Sequence, residues 1–539
     1  MFISIVNWLR FSSTFWGRAF VGALGGVFLA LSFPAWNFWP GIFIGYFLIL
    51  LAIRQLGFFR AFIVGSIAGF AFFGLVTKWL TTYLGPIPWF ALSIVQGLMI
   101  GLAVAVAAVV WRWLRTLNLG RAEPFVIALA LGAVFTAREY WAGVFPFGGM
   151  PWARAGLSLV DTWLARWVYY IDIAGLTWLI VFISALFLFR FVNPQPQGSG
   201  LYRRWVTFIP TAVASVLVLG VPALIVLDAS GTAGTMKVAA VQGNANAGLF
   251  AVNPPGSILD KHLAVAREVV GIQAADNYDV TQAADDIDLM VWPENSADLD
   301  PTTMVEPAQK ISQFVNEELK APLLFGNKTF RGSDFYNEVD LWLPGTGLAD
   351  TYQKKRPVPF GEYVPNRSFF MALAPDMIGL IGWDMSSGTR DGIFELPNGA
   401  KVGSLICFEV TFDYLSFDLI NEGAQALMIQ TNSSDFGKSE QGVQQAAVSR
   451  MRAIETGRTV VSISTVGVSG IYAADGSVVQ ELESFKPGAM VQDIALRNEI
   501  TPAVAYGKYV EPGAFILAIL LFPISVIGLT IRRLKAKRS

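Results

Sequence analysis

The chain contains a single cysteine and a single histidine among its 539 residues. One cysteine cannot form a disulfide within the chain, and no cluster of cysteine and histidine residues could hold a structural zinc ion. The sequence therefore predicts neither a metal nor a cofactor. A catalytic histidine would have to be His262, which lies in an amphipathic helical pattern with no hydroxyl nucleophile motif nearby. We expect His262 to be an ordinary surface histidine and any catalytic base to be a carboxylate.

Charged residues are scarce as well, at 15% of the chain against about 25% in soluble proteins. Residues 1–228 hold 14 basic and five acidic residues, residues 229–531 hold 20 basic and 35 acidic residues, and the last eight residues hold five basic ones. The net charges of these regions are +9, −15 and +5. This distribution excludes one soluble globular domain, and the acidic middle region argues against nucleic-acid binding.

Long hydrophobic runs account for the low charge of the first region. A transmembrane helix needs about 20 apolar residues. Eight runs approach or exceed this length, near 14–33, 37–53, 60–80, 88–111, 124–144, 167–189, 208–227 and 511–531. We predict a polytopic α-helical membrane domain of about eight transmembrane helices. Residues 1–228 would supply seven of them, residues 511–531 the eighth, and residues 532–539 a basic cytoplasmic tail.

Lysine and arginine residues in the short loops predict the orientation of these helices. Basic residues cluster in alternate loops and after the last run, so an amino terminus in the cytoplasm places nearly all of them inside. The same orientation places residues 229–510 outside the membrane. The sequence therefore predicts a multi-pass protein of the bacterial cell membrane with a large extracytoplasmic domain.

Residues 229–510 have the alternating pattern of an α/β domain. The predicted strands are Lys237–Val241, Leu289–Trp292, Leu323–Gly326, Val339–Leu343, Ala349–Lys354, Val402–Ile406, Ala426–Gln430 and Val460–Ser464. The predicted helices are Ser257–Gln273, Thr303–Glu318, Phe412–Glu422 and Gln441–Thr456.

Three polar residues stand directly after predicted strands, where functional groups of α/β sheets gather. Glu294, Lys354 and Cys407 each follow such a strand. Without a suitable histidine, a thiol is the best available nucleophile, and a carboxylate could take its proton. A lysine could stabilise the oxyanion of a tetrahedral intermediate, together with the backbone N–H after the nucleophile. Two further carboxylates, Glu362 and Glu409, could support the site, pair with Lys354 or order a loop.

Several motifs together resemble the nitrilase, or carbon-nitrogen hydrolase, superfamily. The matching stretches are Val241–Asn244, Trp292–Asn295, Tyr336–Asn337, Tyr352–Lys354, Val358–Pro365, Ile406–Glu409 and Arg450–Arg458. With eight membrane spans, the whole chain resembles the bacterial apolipoprotein N-acyltransferases of that superfamily. The resemblance implies an αββα sandwich with a Glu-Lys-Cys triad of Glu294, Lys354 and Cys407, supported by Glu362 and Glu409.

The resemblance also implies the reaction and its partners. A fatty acyl chain would pass from a membrane phospholipid to Cys407 as a thioester. It would then pass to the free α-amino group of the diacylglyceryl-cysteine at a lipoprotein's amino terminus. Both substrates are anchored in the bilayer, so a site held at the outer leaflet would meet them at high local concentration.

The chain departs from the family pattern in a few places. Asn432–Gly437 replaces an Asn-Asp-Ala-Trp-Phe-Gly stretch, Gln444-Gln445 replaces a segment with a common histidine, and Thr465–Gly467 replaces Asn-Asn-Gly. These changes resemble an actinobacterial type, and we carry over no lid or substrate-contact residues from the family. The apolar stretch Phe369–Trp383 is too short to span a bilayer. It fits either an arm that reaches lipid or a core helix of the sandwich.

Two other functions are compatible with parts of the sequence. A membrane-tethered amidase or nitrilase would hydrolyse a small amide through the same thioester. A transporter or receptor would use ionisable groups within the spans, such as Glu139. Transport leaves the motifs around Glu294, Lys354 and Cys407 without a role, whereas the amidase differs only in its acyl donor and acceptor.

Overall fold

The computed structural model describes residues 14–83, 85–192, 201–248, 251–271, 279–280 and 286–538. The chain forms two compact units, Met1–Ile225 with Tyr506–Ser539, and Val226–Ala505. The predicted domain boundaries after residues 228 and 510 lie a few residues from these divisions.

The first unit consists of apolar helices, as its composition requires. Its main α-helices in the described part of the chain are Phe15–Leu31, Pro40–Ile53, Phe58–Val76, Pro86–Arg115, Glu123–Val144, Val168–Val192, Leu201–Leu224 and Val510–Arg538. Among the residues that the structure describes, five helical segments are long and apolar enough to cross a membrane, and three further apolar helices are shorter. A helical membrane unit is therefore confirmed, while the figure of eight spans stays a prediction.

Small residues bring these helices close together. A Cβ atom on Gly26 would lie 2.0 Å from the carbonyl oxygen of Ala68, so only glycine permits this contact between Phe15–Leu31 and Phe58–Val76. Close backbone approach of this kind replaces the hydrophobic driving force that helices lack in lipid.

Glu139 is buried within the first unit, in the helix Glu123–Val144. Its carboxylate accepts hydrogen bonds from the backbone N–H of Ala155 at 2.8 Å and the hydroxyl of Thr177 at 2.9 Å. The Arg154 guanidinium lies 3.6 Å from the same carboxylate. These bonds tie the segment that follows the helix to its neighbours, a structural role that needs no transported ion.

The second unit contains two β-sheets. Its strands are β1 Thr235–Gln242, β2 Asp279–Val280, β3 Leu289–Val291, β4 Leu323–Arg331, β5 Asp334–Leu343, β6 Gly347–Gln353, β7 Ile393–Glu395, β8 Lys401–Ile406, β9 Ala426–Thr431, β10 Thr459–Ser464, β11 Ser469–Tyr472, β12 Val478–Leu482 and β13 Gly488–Ala495. All eight predicted strands are present. Five further strands were not predicted from the sequence, namely β2, β7, β11, β12 and β13.

The strand order is β2-β13-β1-β3-β4-β5-β6 in one sheet and β12-β11-β10-β9-β8-β7 in the other. Strands β1, β3 and β4 are parallel neighbours, as are β8, β9 and β10. Their carboxyl ends therefore lie together at one edge of each sheet.

Two hydrophobic cores fill the spaces between the layers of sheets and helices. Alternation along β1 directs Val238 and Ala240 into the core shared by the two sheets. The same alternation directs Ala239 and Val241 into a second core with helical residues such as Phe314. Helices also pack on the second sheet, so the αββα sandwich is confirmed.

All four predicted helices of this unit are present; Gln441–Thr456 has the predicted ends, and the other three have shifted ends. The helices that cover the sheets are Ser257–Val269, Val305–Gln313, Asp413–Asn421 and Gln441–Thr456, and a π-helical turn Phe314–Leu319 extends the second of them. Shorter helices are Arg367–Leu373, Pro375–Ile378 and Pro502–Tyr506. The predicted residues 272 and 273 of the first helix lie outside the described part of the chain.

The expectation that His262 is a surface residue is wrong. Its side chain is fully buried on the inner face of the helix Ser257–Val269, and its ring lies 5.8 Å from that of Trp292. Burial lowers the pKa of His262 to about 4, although its Nδ1 bonds to the carbonyl of Ile258 at 2.8 Å. A neutral histidine in this position is a packing residue.

Candidate active site

The three predicted catalytic residues follow strands that end at the same edge of the sandwich. Glu294 comes three residues after β3, Lys354 directly follows β6, and Cys407 directly follows β8. Lys354 is almost fully buried and Glu294 is 4% exposed. The Cys407 side chain is half-buried. The structure therefore brings the three predicted groups together, one from the second sheet and two from the first.

The Lys354 ammonium lies between two carboxylates. Its Nζ is 2.8 Å from Oε1 of Glu362 and 3.3 Å from Oε1 of Glu294. Burial alone would lower the pKa of Lys354, but the two carboxylates outweigh it and raise the pKa above its ordinary value. Lys354 is therefore a permanent cation. Two of its three N–H groups have carboxylate partners, which leaves one for a substrate oxygen.

Asn337 joins the two carboxylates. Its side-chain Nδ2 donates to Oε1 of Glu294 at 2.6 Å and to Oε1 of Glu362 at 2.9 Å. Its backbone carbonyl accepts from the N–H of Lys354 at 2.9 Å. One amide on β5 thus fixes both acids and the position of the lysine. In the sequence, Asn337 stands out only as part of a stretch that matches the family, and its place in the site is not predicted.

A tight approach of β4 holds Glu294 in place. A Cβ atom on Gly326 would lie 2.5 Å from the nitrogen of Asn295 and 2.6 Å from Cα of Glu294. The Gly326 N–H donates to the carbonyl of Pro293 at 3.1 Å. The backbone N–H of Asn432, at the end of β9, donates to Oε2 of Glu294 at 2.8 Å. Glu294 is therefore oriented from both sheets.

Cys407 has an unusual backbone and a weakly acidic thiol. Its φ of 54° is in the left-handed region, which costs a residue with a side chain about 1–3 kcal/mol. Burial and the carboxylates of Glu294 and Glu362 together raise the pKa of the thiol to about 12, although Lys354 and the side chain of Gln445 oppose the rise. The thiol is therefore protonated at neutral pH and needs a base as it attacks.

The two supporting carboxylates have different surroundings. Burial opposes ionisation of Glu362, but the Lys354 ammonium and several hydrogen bonds lower its pKa below the ordinary value. One of these bonds comes from the N–H of Val358 at 2.7 Å. Glu362 is therefore an ionised partner of Lys354, in keeping with a supporting position beside the triad.

Glu409 orders a loop, one of the alternatives left open by the sequence. Its fully buried carboxylate accepts from the Tyr352 hydroxyl at 2.9 Å and from the N–H groups of Lys355, Arg356 and Ile406 at 2.7, 3.0 and 2.9 Å. Burial raises its pKa above the ordinary value. Glu409 joins the loop after Lys354 to the strand before Cys407.

The stretch Phe369–Trp383 does not form a core helix. No residue of the helix Arg367–Leu373 is buried. Phe369, Leu373 and Trp383 are 63%, 69% and 67% exposed. Large apolar groups exposed this closely together are typical of surfaces that bind another protein or a membrane.

Sequence reasoning missed other residues around the site besides Asn337. In the sequence, Tyr352 lies in a stretch that matches the family, and Gln445 lies where the chain departs from the family pattern. Both are buried polar side chains whose partners come from distant parts of the chain, so local pattern could not assign them.

Family models match both units of the chain. Residues 25–186 match the apolipoprotein N-acyltransferase N-terminal domain, and residues 237–500 match the carbon-nitrogen hydrolase domain. The apolipoprotein N-acyltransferase of Mycolicibacterium smegmatis is 29% identical, over 96% of this chain and 86% of that protein. That of Pseudomonas putida is 27% identical, over 94% of this chain and 96% of its own length.

Among solved structures, an amidase of the nitrilase superfamily from Nesterenkonia aligns with 48% of this chain and 91% of its own length. That alignment has 15% identity and a TM-score of 0.36. The two family models in this order, together with relatives that match over nearly the whole length, establish that the chain belongs to the apolipoprotein N-acyltransferase family.

Proposed function

We propose that this protein transfers a fatty acyl chain from a membrane phospholipid to the α-amino group of the diacylglyceryl-cysteine at the amino terminus of lipoproteins. The observation that carries the proposal is the buried Lys354 ammonium, held between Glu294 and Glu362 beside Cys407. A nucleophile, a base and a fixed cation are the groups that acyl transfer requires.

In the first half-reaction the Cys407 sulfur attacks the carbonyl carbon of a phospholipid ester. The thiol proton passes to Glu294, and the carbonyl electrons form an oxyanion that accepts a hydrogen bond from the remaining N–H of Lys354. When the oxyanion collapses, the carbon–oxygen bond to the glycerol breaks. Glu294 returns the proton to the departing lysophospholipid, and the acyl chain stays on Cys407 as a thioester.

In the second half-reaction the lipoprotein amine attacks the thioester carbon. Glu294 takes a proton from the amine, Lys354 again faces the oxyanion, and the carbon–sulfur bond breaks to release the thiolate. The thiolate recovers a proton from Glu294. An amide replaces a thioester, so this step is favourable, and the two half-reactions together form a ping-pong mechanism.

A transferase must also keep water from the thioester. The exposed apolar residues of Phe369–Trp383 support a role as an arm that contacts the bilayer and shields the acylated site. The proposed location is the outer face of the cell membrane, because the lysine and arginine residues of the short loops favour a cytoplasmic amino terminus.

The central test is mass spectrometry of the full-length protein after incubation with phospholipid. We expect one fatty acyl group on Cys407, removable by hydroxylamine, with little free fatty acid. Addition of a peptide carrying diacylglyceryl-cysteine should discharge it into an N-acyl peptide. Cys407→Ala is the matched control and should give neither species. Steady release of fatty acid without an acyl-enzyme, or acylation only by a small amide, would favour the hydrolase instead.

The orientation has its own test. A reporter that is active only in the cytoplasm, fused after Ala229, should remain silent, whereas the same reporter after the last residue should be active. Strong activity of the fusion after Ala229 would overturn the proposed topology.

A further inference from the structure

A buried helix presents polar side chains to the nucleophile. The helix Gln441–Thr456 packs against the short 3₁₀ helix Cys407–Thr411. Arg452 on this helix donates to the carbonyls of Val410 at 2.9 Å and Thr411 at 3.1 Å. These bonds establish which face of the longer helix lies over the nucleophile.

Gln445 lies on that same face, because it precedes Arg452 by seven residues, or about two helical turns. Its side chain is 3% exposed. Its Oε1 accepts a hydrogen bond from Nε2 of Gln441 at 2.6 Å. Because Gln441 is one turn away on the same helix, this bond fixes the rotation of the Gln445 amide.

The fixed amide leaves a donor without a hydrogen-bond partner. Nε2 of Gln445 is buried and has no hydrogen-bond partner among the residues that the structure describes. The same side chain lies beside Cys407, where it lowers the pKa of the thiol. A buried amide donor without an acceptor is unfavourable, and a charged acceptor forms a stronger hydrogen bond than a neutral one. A thiolate would satisfy this donor better than a thiol does.

We propose that Gln445 contacts the reacting sulfur and donates a hydrogen bond from Nε2 to the Cys407 thiolate, with Gln441 as the positioning residue that orients it. The part of this inference that concerns acyl transfer rests on the proposed function. Sulfur is anionic at two points of that reaction: before it bonds to the acyl carbon, and after the amine expels it. A donor at sulfur therefore favours both attack and release, whereas Lys354 acts on the carbonyl oxygen.

The test is the rate at which iodoacetamide alkylates the full-length protein at a series of pH values. The chain has one cysteine, so all alkylation reports on Cys407. Gln445→Met keeps a similar shape without a donor. Gln445→Glu also keeps the acceptor for Gln441. Gln445→His restores a donor. Gln444→Met, a buried glutamine at the adjacent position of the same helix, is the matched control.

We expect alkylation of Gln445→Met to be about tenfold slower at a given pH, so that a fixed rate is reached about one pH unit higher. Gln445→Glu should be slower still, Gln445→His close to the original protein, and Gln444→Met unchanged. A purely structural role predicts that the isosteric glutamate is the mildest change. Faster alkylation of Gln445→Glu than of Gln445→Met, or equal rates in all variants, would overturn the proposal.

The experiment separates this inference from the proposed function, since alkylation needs no acyl donor. Failure of phospholipid to acylate the original protein would refute the function alone. If the Gln445 variants were alkylated as fast as the original protein, the contact between Gln445 and the Cys407 sulfur would be refuted and the proposed function would not. Thermal unfolding of each variant shows whether the helix remains packed, and Gln445→Glu supplies the answer if Gln445→Met is unstable.

Discussion

Replacing Glu362 with glutamine should separate the reactivity of the thiol from turnover. The Glu362 carboxylate accepts from Lys354 and Asn337 through one oxygen and from the N–H of Val358 through the other. An amide can accept at only one end, so one set of donors must lose its partner. The Lys354 ammonium would then lose a hydrogen bond to a charged group, worth about 1.5–3 kcal/mol. Acyl transfer should become about ten- to a hundredfold slower.

The thiol should respond in the opposite direction. The negative charge of Glu362 raises the pKa of Cys407, so its removal should lower that pKa and make alkylation faster at the same pH. The assays are N-acyl peptide formation and iodoacetamide alkylation on the same preparation. Glu395→Gln, at an exposed position on β7, is the matched control. Parallel slowing of both reactions would show that Glu362 acts only through folding, and unchanged transfer would remove it from the site.

Further substitutions test the rest of the site. Glu294→Gln and Lys354→Ala should each slow acyl transfer by about a hundredfold or more while the protein still folds, because the base or the oxyanion partner is lost; near-normal turnover of either variant would exclude that residue. Gly326→Ala should lower stability by about 1–3 kcal/mol and displace Glu294, since the new Cβ meets its backbone; an unchanged unfolding midpoint with full activity would contradict the close approach. Asp340 has a pKa raised to about 7 by burial against about 3.9 when unfolded, so the protein should lose on the order of 4 kcal/mol of stability as pH rises from about 4 to about 7. Asp340→Asn should flatten that profile in thermal unfolding, and an identical pH dependence would contradict the assignment.

Local sequence pattern predicted the strands that are short apolar runs, but not β13. Residues Gly488–Ala495 mix apolar and polar side chains, and the strand exists because it pairs antiparallel with β1 over its full length. That pairing joins segments about 250 residues apart, which no local periodicity records.

The burial of His262 did have a local signal. Leu259 lies three residues before it and Ala266 four residues after it, and both are buried on the same helical face. The polarity of histidine obscured this spacing. In contrast, Glu294, Lys354 and Cys407 could be selected because each follows a strand, and strand ends meet at one edge of a sheet. The amide of Asn337 could not be selected, because its role depends on two acids from other strands.

The hydrogen bonds of Glu409 also bear on the cooperativity of the fold. One of its oxygens accepts from the N–H groups of Lys355 and Arg356, which follow β6 in the first sheet, and the other accepts from the N–H of Ile406 in the second sheet. Because Glu409 moves with the second sheet, sliding of one sheet over the other by about 1 Å would stretch its bonds to the N–H groups of Lys355 and Arg356 beyond useful length. In hydrogen-exchange terms, the amides of Ile406 and Lys355 should exchange only when the sandwich opens as a whole. The catalytic edge is thereby among the last parts of the second unit to open, so the alignment of Lys354 with Cys407 persists as long as the sandwich itself.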